Sequence, residues 1–420
     1  MVTYRPTPGV VTDALAELLE RFAPLREGSL ADYIPQLALA DPDDFGIALV
    51  SMEGHCYQAG RADVPFTVQS VSKPFVYALA LSRLGLEEVT RWVGTEPSGD
   101  VFNAISLEPR TGRPANAMIN AGAIATTALV PGTTPEERFG HILDCLSRFA
   151  GRCLDVDEDV YASEARTGDR NRALAFLLSS AGTLPGDPSE AVDTYFRQCS
   201  VRVTAADLAV MTATLANSGV NPVTGETVVS EEVAVQVLAV MASCGMYDAS
   251  GDWLLRVGLP AKSGVSGGLV AAGPARFGIA VFSPPLDVHG NSVRGVAALR
   301  DLSERFGLHL MRRPVQLAPT VAPTVVPGTG PADEEVRLAA RGFLDFTAAE
   351  RLLHGLAHGG PESGGRVVLD LTDATGVDPF AARLLRAALA RLEGSGRRTS
   401  VVGGEALARD AGPGSAGFSG

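Results

Sequence analysis

Between residues 314 and 333 the chain reads PVQLAPTVAPTVVPGTGPAD, with prolines at 314, 319, 323, 327 and 331 interleaved with small residues. Proline fixes φ and carries no N–H, so a run of this kind is expected to form a semi-rigid extended linker and not a core element. It divides the 420 residues into a large N-terminal domain, 1–313, the linker 314–333, and a small C-terminal domain, 334–420.

Within the first domain, FGIALVSMEGHCYQAG (45–60) has the pattern of a hairpin turning at Glu53-Gly54, and ARFGIAVFSPP (275–285) reads as another strand. Helical periodicity occupies 75–93, 134–150, 170–181, 189–199, 204–217 and 230–243, with Thr134 and Thr204 placed as N-caps. SVRGVAALRDLSERFGLHL is expected to add one more strand and a closing helix. Strands near both ends with helices between them predict an α+β domain, an antiparallel sheet carrying a helical subdomain. After the linker, strand and helix patterns alternate from EVRLAARG to RTSVVGG, which predicts a small α/β unit.

Composition narrows the function classes. A net charge of −13 without a basic run excludes nucleic acid and anionic membrane surfaces as expected partners. No window approaches the roughly 18 apolar residues of a membrane span, and the start MVTYRPTPGVVTDAL lacks the regions of a secretory signal, so a cytoplasmic protein is expected. Cys56, Cys145, Cys153, Cys199 and Cys244 are scattered and contain no Cys-x-x-Cys pair, which predicts reduced thiols and no zinc site. Of the six histidines only His354 and His358 stand at i, i+4, read as a solvated helix face, so neither a metal nor a cofactor is expected.

The chain writes its cations as arginine, with only two lysines, Lys73 and Lys262. Both lie in short motifs with a chemical reading. In VQSVSKP, Ser70 and Lys73 stand three apart at the start of an apolar helix, so the amine can reach the hydroxyl. Serine is a poor nucleophile until a base removes its proton, and an amine serves once desolvation or a second cation lowers its pKa. Arginine cannot, because its guanidinium stays protonated. Lys262 is the candidate second cation, and AKSGVSGG (261–268) supplies the Lys-Ser-Gly element that accompanies Ser-x-x-Lys in penicillin-recognising enzymes. Together they predict serine acyl-enzyme chemistry, with Ser70 the nucleophile and Lys73 the base. The N–H groups of Ser70 and Val265 are candidate oxyanion donors.

The blocks ADYIPQLA, VQSVSKP, VGTEPSGDVFN, NAMINAGAI, SEARTGDRN, DTYFRQCSV, SCGMYDASGDW, VGLPAKSGVSGG and SPPLDVHGNSVRG together resemble the serine-dependent glutaminases, which share a β-lactamase-like fold. The resemblance covers nearly the whole first domain. It implies hydrolysis of L-glutamine to L-glutamate and ammonia, with Tyr33, Ser70, Asn120, Glu164, Asn171, Tyr195, Tyr247 and the Val265 main chain lining the substrate site. Glu164 would pair with the substrate ammonium while Asn and Tyr donors meet its carboxylate. Tyr247 would protonate departing ammonia and help activate the deacylating water. From the residues alone, Glu164 and Asn171 are expected in a loop leading into a helix, where TGDRN reads as a turn and cap, and Tyr195 reads as core. The family's frequent Asn-Pro-Met is here Asn116-Ala117-Met118. A homodimer or homotetramer is implied by the resemblance only.

GFLDFTAAERLL and VVLDLTDATGVDPFAARLLRAAL resemble a STAS domain, which implies a protein or ligand partner. Regulatory members carry a phosphorylated Ser or Thr after the aspartate of the second helix; here Asp378 is followed by Pro379 and Phe380. The ending GEALARDAGPGSAGFSG reads as too short and glycine-rich for a full last helix. Two other readings compete with the glutaminase: a β-lactamase-like or peptidase-like acyl hydrolase, and an inactive scaffold acting through the STAS-like domain.

Overall fold

The structure is a computed structural model that describes residues 6–99, 104, 107–312, 321–326, 335–358, 366–404 and 407. Most of the linker stretch, the chain end and the side chains of His354 and His358 lie outside the described residues, and so do the expectations placed on them. The chain divides into two compact units, Met1–Arg312 and Arg313–Gly420.

In chain order the first unit contains α1 (Val10–Phe22), the hairpin β1 (Gly46–Ser51) and β2 (Cys56–Gly60), and the short β3 (Phe66–Thr67). A helical body follows: α2 (Lys73–Leu84), α3 (Leu86–Trp92), α4 (Asn120–Leu129), α5 (Pro135–Ala150), α6 (Glu158–Thr167), α7 (Asp169–Ser180) and α8 (Pro188–Cys199). Then come β4 (Arg202–Val203), α9 (Ala205–Ala216), α10 (Glu231–Cys244), α11 (Ser250–Arg256), β5 (Ala261–Ser263), β6 (Gly268–Gly273), β7 (Phe277–Phe282) and α12 (Val293–Phe306).

The main sheet has the order β2-β1-β7-β6-β5 and is antiparallel throughout. Because side chains alternate along a strand, this sheet serves two cores. Ala48, Val50, Val270, Ala272, Ala280 and Phe282 face the helical body. Ile47, Leu269, Ala271, Ile279 and Val281 face Leu15 and Leu18 of α1 and Ala298, Leu299 and Leu302 of α12. The two ends of the chain thus cover one face and the inserted helices cover the other.

Local chemistry explains the boundaries. Thr134 accepts from the Glu137 N–H, and Thr204 and Asp207 form a capping box, as their spacing predicts. The pattern over 75–93 breaks into α2 and α3 at Gly85, whose φ of 78° a glycine adopts without strain. Two expectations are corrected. SVRGVAALRDLSERF supplies no strand; Ser292 caps it and Ala298, Leu299 and Leu302 give it one helical apolar face. Glu164 lies not in a loop but on α6, which Asp157 starts by accepting from the Val160 N–H.

The second unit contains β8 (Val321–Val326), β9 (Glu335–Leu344), α13 (Phe346–His358), β10 (Arg366–Val377), α14 (Pro379–Gly394) and β11 (Arg398–Val402). The sheet order is β11-β10-β9-β8, parallel except for β8. Residues 321–326, expected to be linker, are therefore an edge strand. Pro323 pairs with Leu338 at that edge, a position that tolerates the missing donor. Alternation along β9 buries Val336, Leu338 and Ala340. Among the described residues no single helix in either unit is long and apolar enough to cross a membrane.

Candidate active site

Ser70 is held in a 3-10 turn, Gln69–Ser72, and Lys73 opens α2 directly after it. With three residues per turn, positions i and i+3 eclipse, so the two side chains leave the turn on the same side. The expected i, i+3 geometry is thus built on a tighter turn than an α-helix. Gln69, just before Ser70, has a φ of 46°, and Tyr247 has a φ of 59°. Non-glycine residues in this left-handed region carry strain of about 1–3 kcal/mol, which packing must hold in place. Gly245 helps to hold it: a Cβ there would sit 1.7 Å from the Ala261 carbonyl oxygen, so only glycine lets the end of α10 meet β5.

That close approach sets Tyr247 beside the Lys-Ser-Gly strand. Its hydroxyl donates to the Ser263 carbonyl at 2.8 Å. The Ser70 hydroxyl is hydrogen-bonded to the same phenol, and burial pushes the phenol pKa well up, which keeps it protonated. Lys262 also donates to the Ser263 carbonyl, at 2.5 Å, with its amine 3.9 Å from the Tyr247 ring centroid. Lys262 therefore braces Tyr247.

Lys73 is only 2% exposed. It donates to the Met118 carbonyl at 3.2 Å and to Asn120 Oδ1 at 2.7 Å. Burial lowers its pKa to about 7, against the smaller upward pulls of Cys199 and Glu164. Lys262 is likewise buried and pushed well down, by burial first and by Lys73 second, so desolvation is the leading cause at both amines. A neutral amine has two N–H groups and one lone pair. Two carbonyl-type acceptors engage the N–H groups of Lys73, which leaves the lone pair for a third direction. Among the described residues Ser70 and Lys73 are not hydrogen-bonded to each other, the serine being turned to Tyr247.

Tyr33, Ser70, Asn120, Glu164, Asn171 and Tyr195 line one cavity of about 190 Å³. Asn120 is oriented from both sides: Oδ1 accepts from Lys73, and Nδ2 donates to Asn171 Oδ1 at 2.9 Å. The Tyr195 hydroxyl reaches the same Oδ1 at 3.4 Å. Tyr195 is as buried as its core reading requires, yet its polar end belongs to the site. Glu164 is 4% exposed, and burial raises its carboxyl to about 8 despite a hydrogen bond from Gln69 and the nearby Lys73. Tyr33 is half exposed as a residue, while desolvation and the neighbouring Glu164 push its phenol pKa well up. Tyr247, Lys262 and Val265 do not line the cavity. The Val265 side chain packs with Ala31, Ile34 and Leu286. Among the described residues the Ser70 and Val265 N–H groups have no backbone acceptor.

Sequence reasoning missed Gln69 and Arg170, which line the same cavity. Gln69 Nε2 lies 3.4 Å from Glu164 Oε2 and links the serine turn to the buried carboxylate. Both stand in blocks already singled out, VQSVSKP and SEARTGDRN, so adjacency to a candidate residue was the available signal.

The family model for glutaminase matches residues 28–311. Glutaminase 2 of Bradyrhizobium diazoefficiens is 52% identical over 308 residues, covering 73% of this chain and 49% of its own length. The chain thus spans about half of that relative. The glutaminase of Corynebacterium efficiens is 43% identical over 411 residues, 97% of this chain and 96% of its own, so its likeness runs through both units. A crystal structure of Mglu superposes with a TM-score of 0.83 at 45% identity, covering 94% of this chain and 98% of that one, and Mglu is also known in a glutamate form. The mixed α/β fold with its antiparallel sheet is therefore that of glutaminase structures. The chain belongs to the glutaminase family.

Proposed function

We propose that this chain hydrolyses L-glutamine to L-glutamate and ammonia through a seryl acyl-enzyme. Ser70 Oγ attacks the side-chain amide carbon while the lone pair of Lys73 takes its proton, and the carbonyl π electrons move to oxygen. The Ser70 and Val265 N–H groups meet that oxyanion. As the carbonyl re-forms, the C–N bond breaks, and Tyr247 supplies the proton with which ammonia leaves and recovers one from Lys73, whose lone pair is restored. Water then attacks the ester carbon and gives a proton to Lys73; as the carbonyl re-forms, the C–O bond to Ser70 breaks, that proton passes to Ser70 Oγ, and glutamate departs with its new carboxyl ionising to solvent. The substrate ammonium pairs with Glu164, and Asn171, Tyr195 and Tyr33 shape the pocket around it. One observation carries the reading: a buried serine and a buried carboxyl group share one small cavity with Asn120, which holds an amine whose pKa burial lowers to about 7. Ammonia release from L-glutamine, L-asparagine and a β-lactam tests it. Turnover of glutamine alone is expected; β-lactam turnover, or silence on glutamine, would reject it.

A pH profile gives a second check. Lys73 must be unprotonated to act as base, and Glu164 must be ionised to pair with an ammonium. With the two groups at about 7 and about 8, kcat/KM is expected to rise with pH through that interval and to be low below it. A profile flat or falling from pH 6 to about 9 (about one unit beyond each pKa) would contradict both assignments.

The second unit we read as a STAS-like module with a protein or ligand partner. Its three parallel strands, two helices and antiparallel edge strand support this. Asp378 accepts from the Ala381 N–H and so serves as the cap of α14, and no hydroxyl follows it for a phospho-switch. Four of the five free cysteines are buried, which suits a reducing, cytoplasmic setting, and we propose a homo-oligomer there.

A further inference from the structure

We propose that Ser250 is a positioning residue: it holds the strained Tyr247 turn, and with it the phenol, in place for proton transfer. This rests on the glutaminase reading above, in which Tyr247 gives the proton with which ammonia leaves. A tyrosine keeps a φ of 59° only where its surroundings hold it there. Relaxing that angle to the right-handed region turns the Cα–Cβ bond and carries the phenol away from Ser70 and from the Ser263 carbonyl. Ser250 acts on both sides of the turn. Its hydroxyl accepts from the Met246 N–H at 3.0 Å and donates to the Tyr247 carbonyl at 2.8 Å. One side chain thus ties the backbone before Tyr247 to the backbone after it. Met246, Tyr247 and Ser250 are all buried, and among the described residues the Met246 N–H has no backbone acceptor. The serine hydroxyl is therefore what satisfies that donor.

The same device recurs at the other strained turn of the site. Gln69 has a φ of 46°, Ser72 stands three residues on, and its hydroxyl donates to the Gln69 carbonyl at 2.8 Å. Gln198 Nε2 donates to the Ser72 hydroxyl at 3.0 Å and fixes it in turn. Among the described residues two further non-glycine positions have a positive φ, Ser218 and Ala275. The residues three beyond them are Asn221 and Gly278, and the Asn221 amide donates elsewhere, to the Arg148 and Phe149 carbonyls. A serine clamp thus marks the two turns that carry the nucleophile and the proton donor. A hydroxyl suits the task because it donates and accepts at once.

The test measures kcat and KM for L-glutamine in the full-length wild type, Ser250→Ala, Tyr247→Phe and the double variant. Removing a general acid costs about 10² to 10⁴ in rate, and Tyr247→Phe should lose that much in kcat. Ser250→Ala should lose about ten- to a hundredfold, part of the same contribution, with KM unchanged because neither residue lines the substrate cavity. In the Tyr247→Phe background the serine change should cost no more than about twofold, since its effect runs through the phenol. A merely structural role would lower kcat by the same factor in both backgrounds, and that result, or an unchanged kcat in Ser250→Ala, overturns the proposal. If Ser250→Ala does not fold, Ser250→Cys, close in size and a weak hydrogen-bonding group, takes its place in the same cycle. Should Tyr247→Phe keep full activity, or the wild type turn over no glutamine, the proposed mechanism fails by itself. A crystal structure of the Ser250 variant then decides the positioning role: Tyr247 is expected to leave the left-handed region, and a φ still near 59° with the hydroxyl still on the Ser263 carbonyl rejects it.

Discussion

Replacing Ser70 by alanine is expected to lower glutamate formation from L-glutamine by about 10⁴ to 10⁶ while leaving the protein folded. The loss is large because no covalent intermediate can form. The fold should tolerate it because little else depends on the hydroxyl. Its partner, the Tyr247 phenol, still donates to the Ser263 carbonyl at 2.8 Å, so no buried group is stranded. The stability change should stay within about 1 kcal/mol. The N–H of residue 70 remains, as do Glu164 and Asn171, so glutamine should bind the variant with unchanged affinity. Glutamate release, thermal unfolding and calorimetry check the three parts. Residual turnover above about one per cent would point to another nucleophile, since a serine acting alone cannot be replaced so cheaply. Ser263, whose hydroxyl is buried without a partner among the described residues, would be the next to remove.

What the sequence revealed of the site followed from chemical types that few other residues could supply. Two lysines in a chain rich in arginine marked the amines, and a serine three residues before one of them marked the nucleophile. Caps at Thr134 and Thr204 were legible because an N-cap is a local hydrogen bond between neighbours in the chain. Other features depend on contacts far apart in sequence. Glu164 was read into a loop because α6 shows little apolar periodicity; its burial comes from packing, not from its own pattern. In the second unit, Val321–Val326 is hidden in the sequence by Pro323 and the prolines that flank the strand, although an edge strand accepts Pro323 for the same reason a linker does: neither requires its N–H. Arg170 stands within a turn-like block, and only the folded chain brings it to the lining of the same cavity as Glu164.

Lys73→Arg should be nearly as damaging as the loss of Ser70, and for a different reason. The variant keeps a nitrogen donor near Met118 and Asn120, so a purely structural or charge-supplying role would survive it. A role as base would not, because guanidinium does not give up its proton in proteins. Removing a general base costs about 10² to 10⁴ in rate, and a permanent charge in this buried position should push the loss toward the upper end. If the bulkier arginine fails to fold, Lys73→Met provides the neutral comparison. It retains the apolar stem and leaves the Met118 carbonyl without its amine donor, at a cost of about 1–3 kcal/mol, and it should be equally inactive. Tyr247 is the alternative acceptor of the serine proton, since the Ser70 hydroxyl already bonds to it. Burial, however, raises the phenol pKa and lowers that of the amine to about 7, so near neutrality only the amine has a lone pair to offer without first losing a proton at great cost. Normal turnover by Lys73→Arg would reverse that assignment, leaving Tyr247 as the base and reducing Lys73 to a support for Asn120.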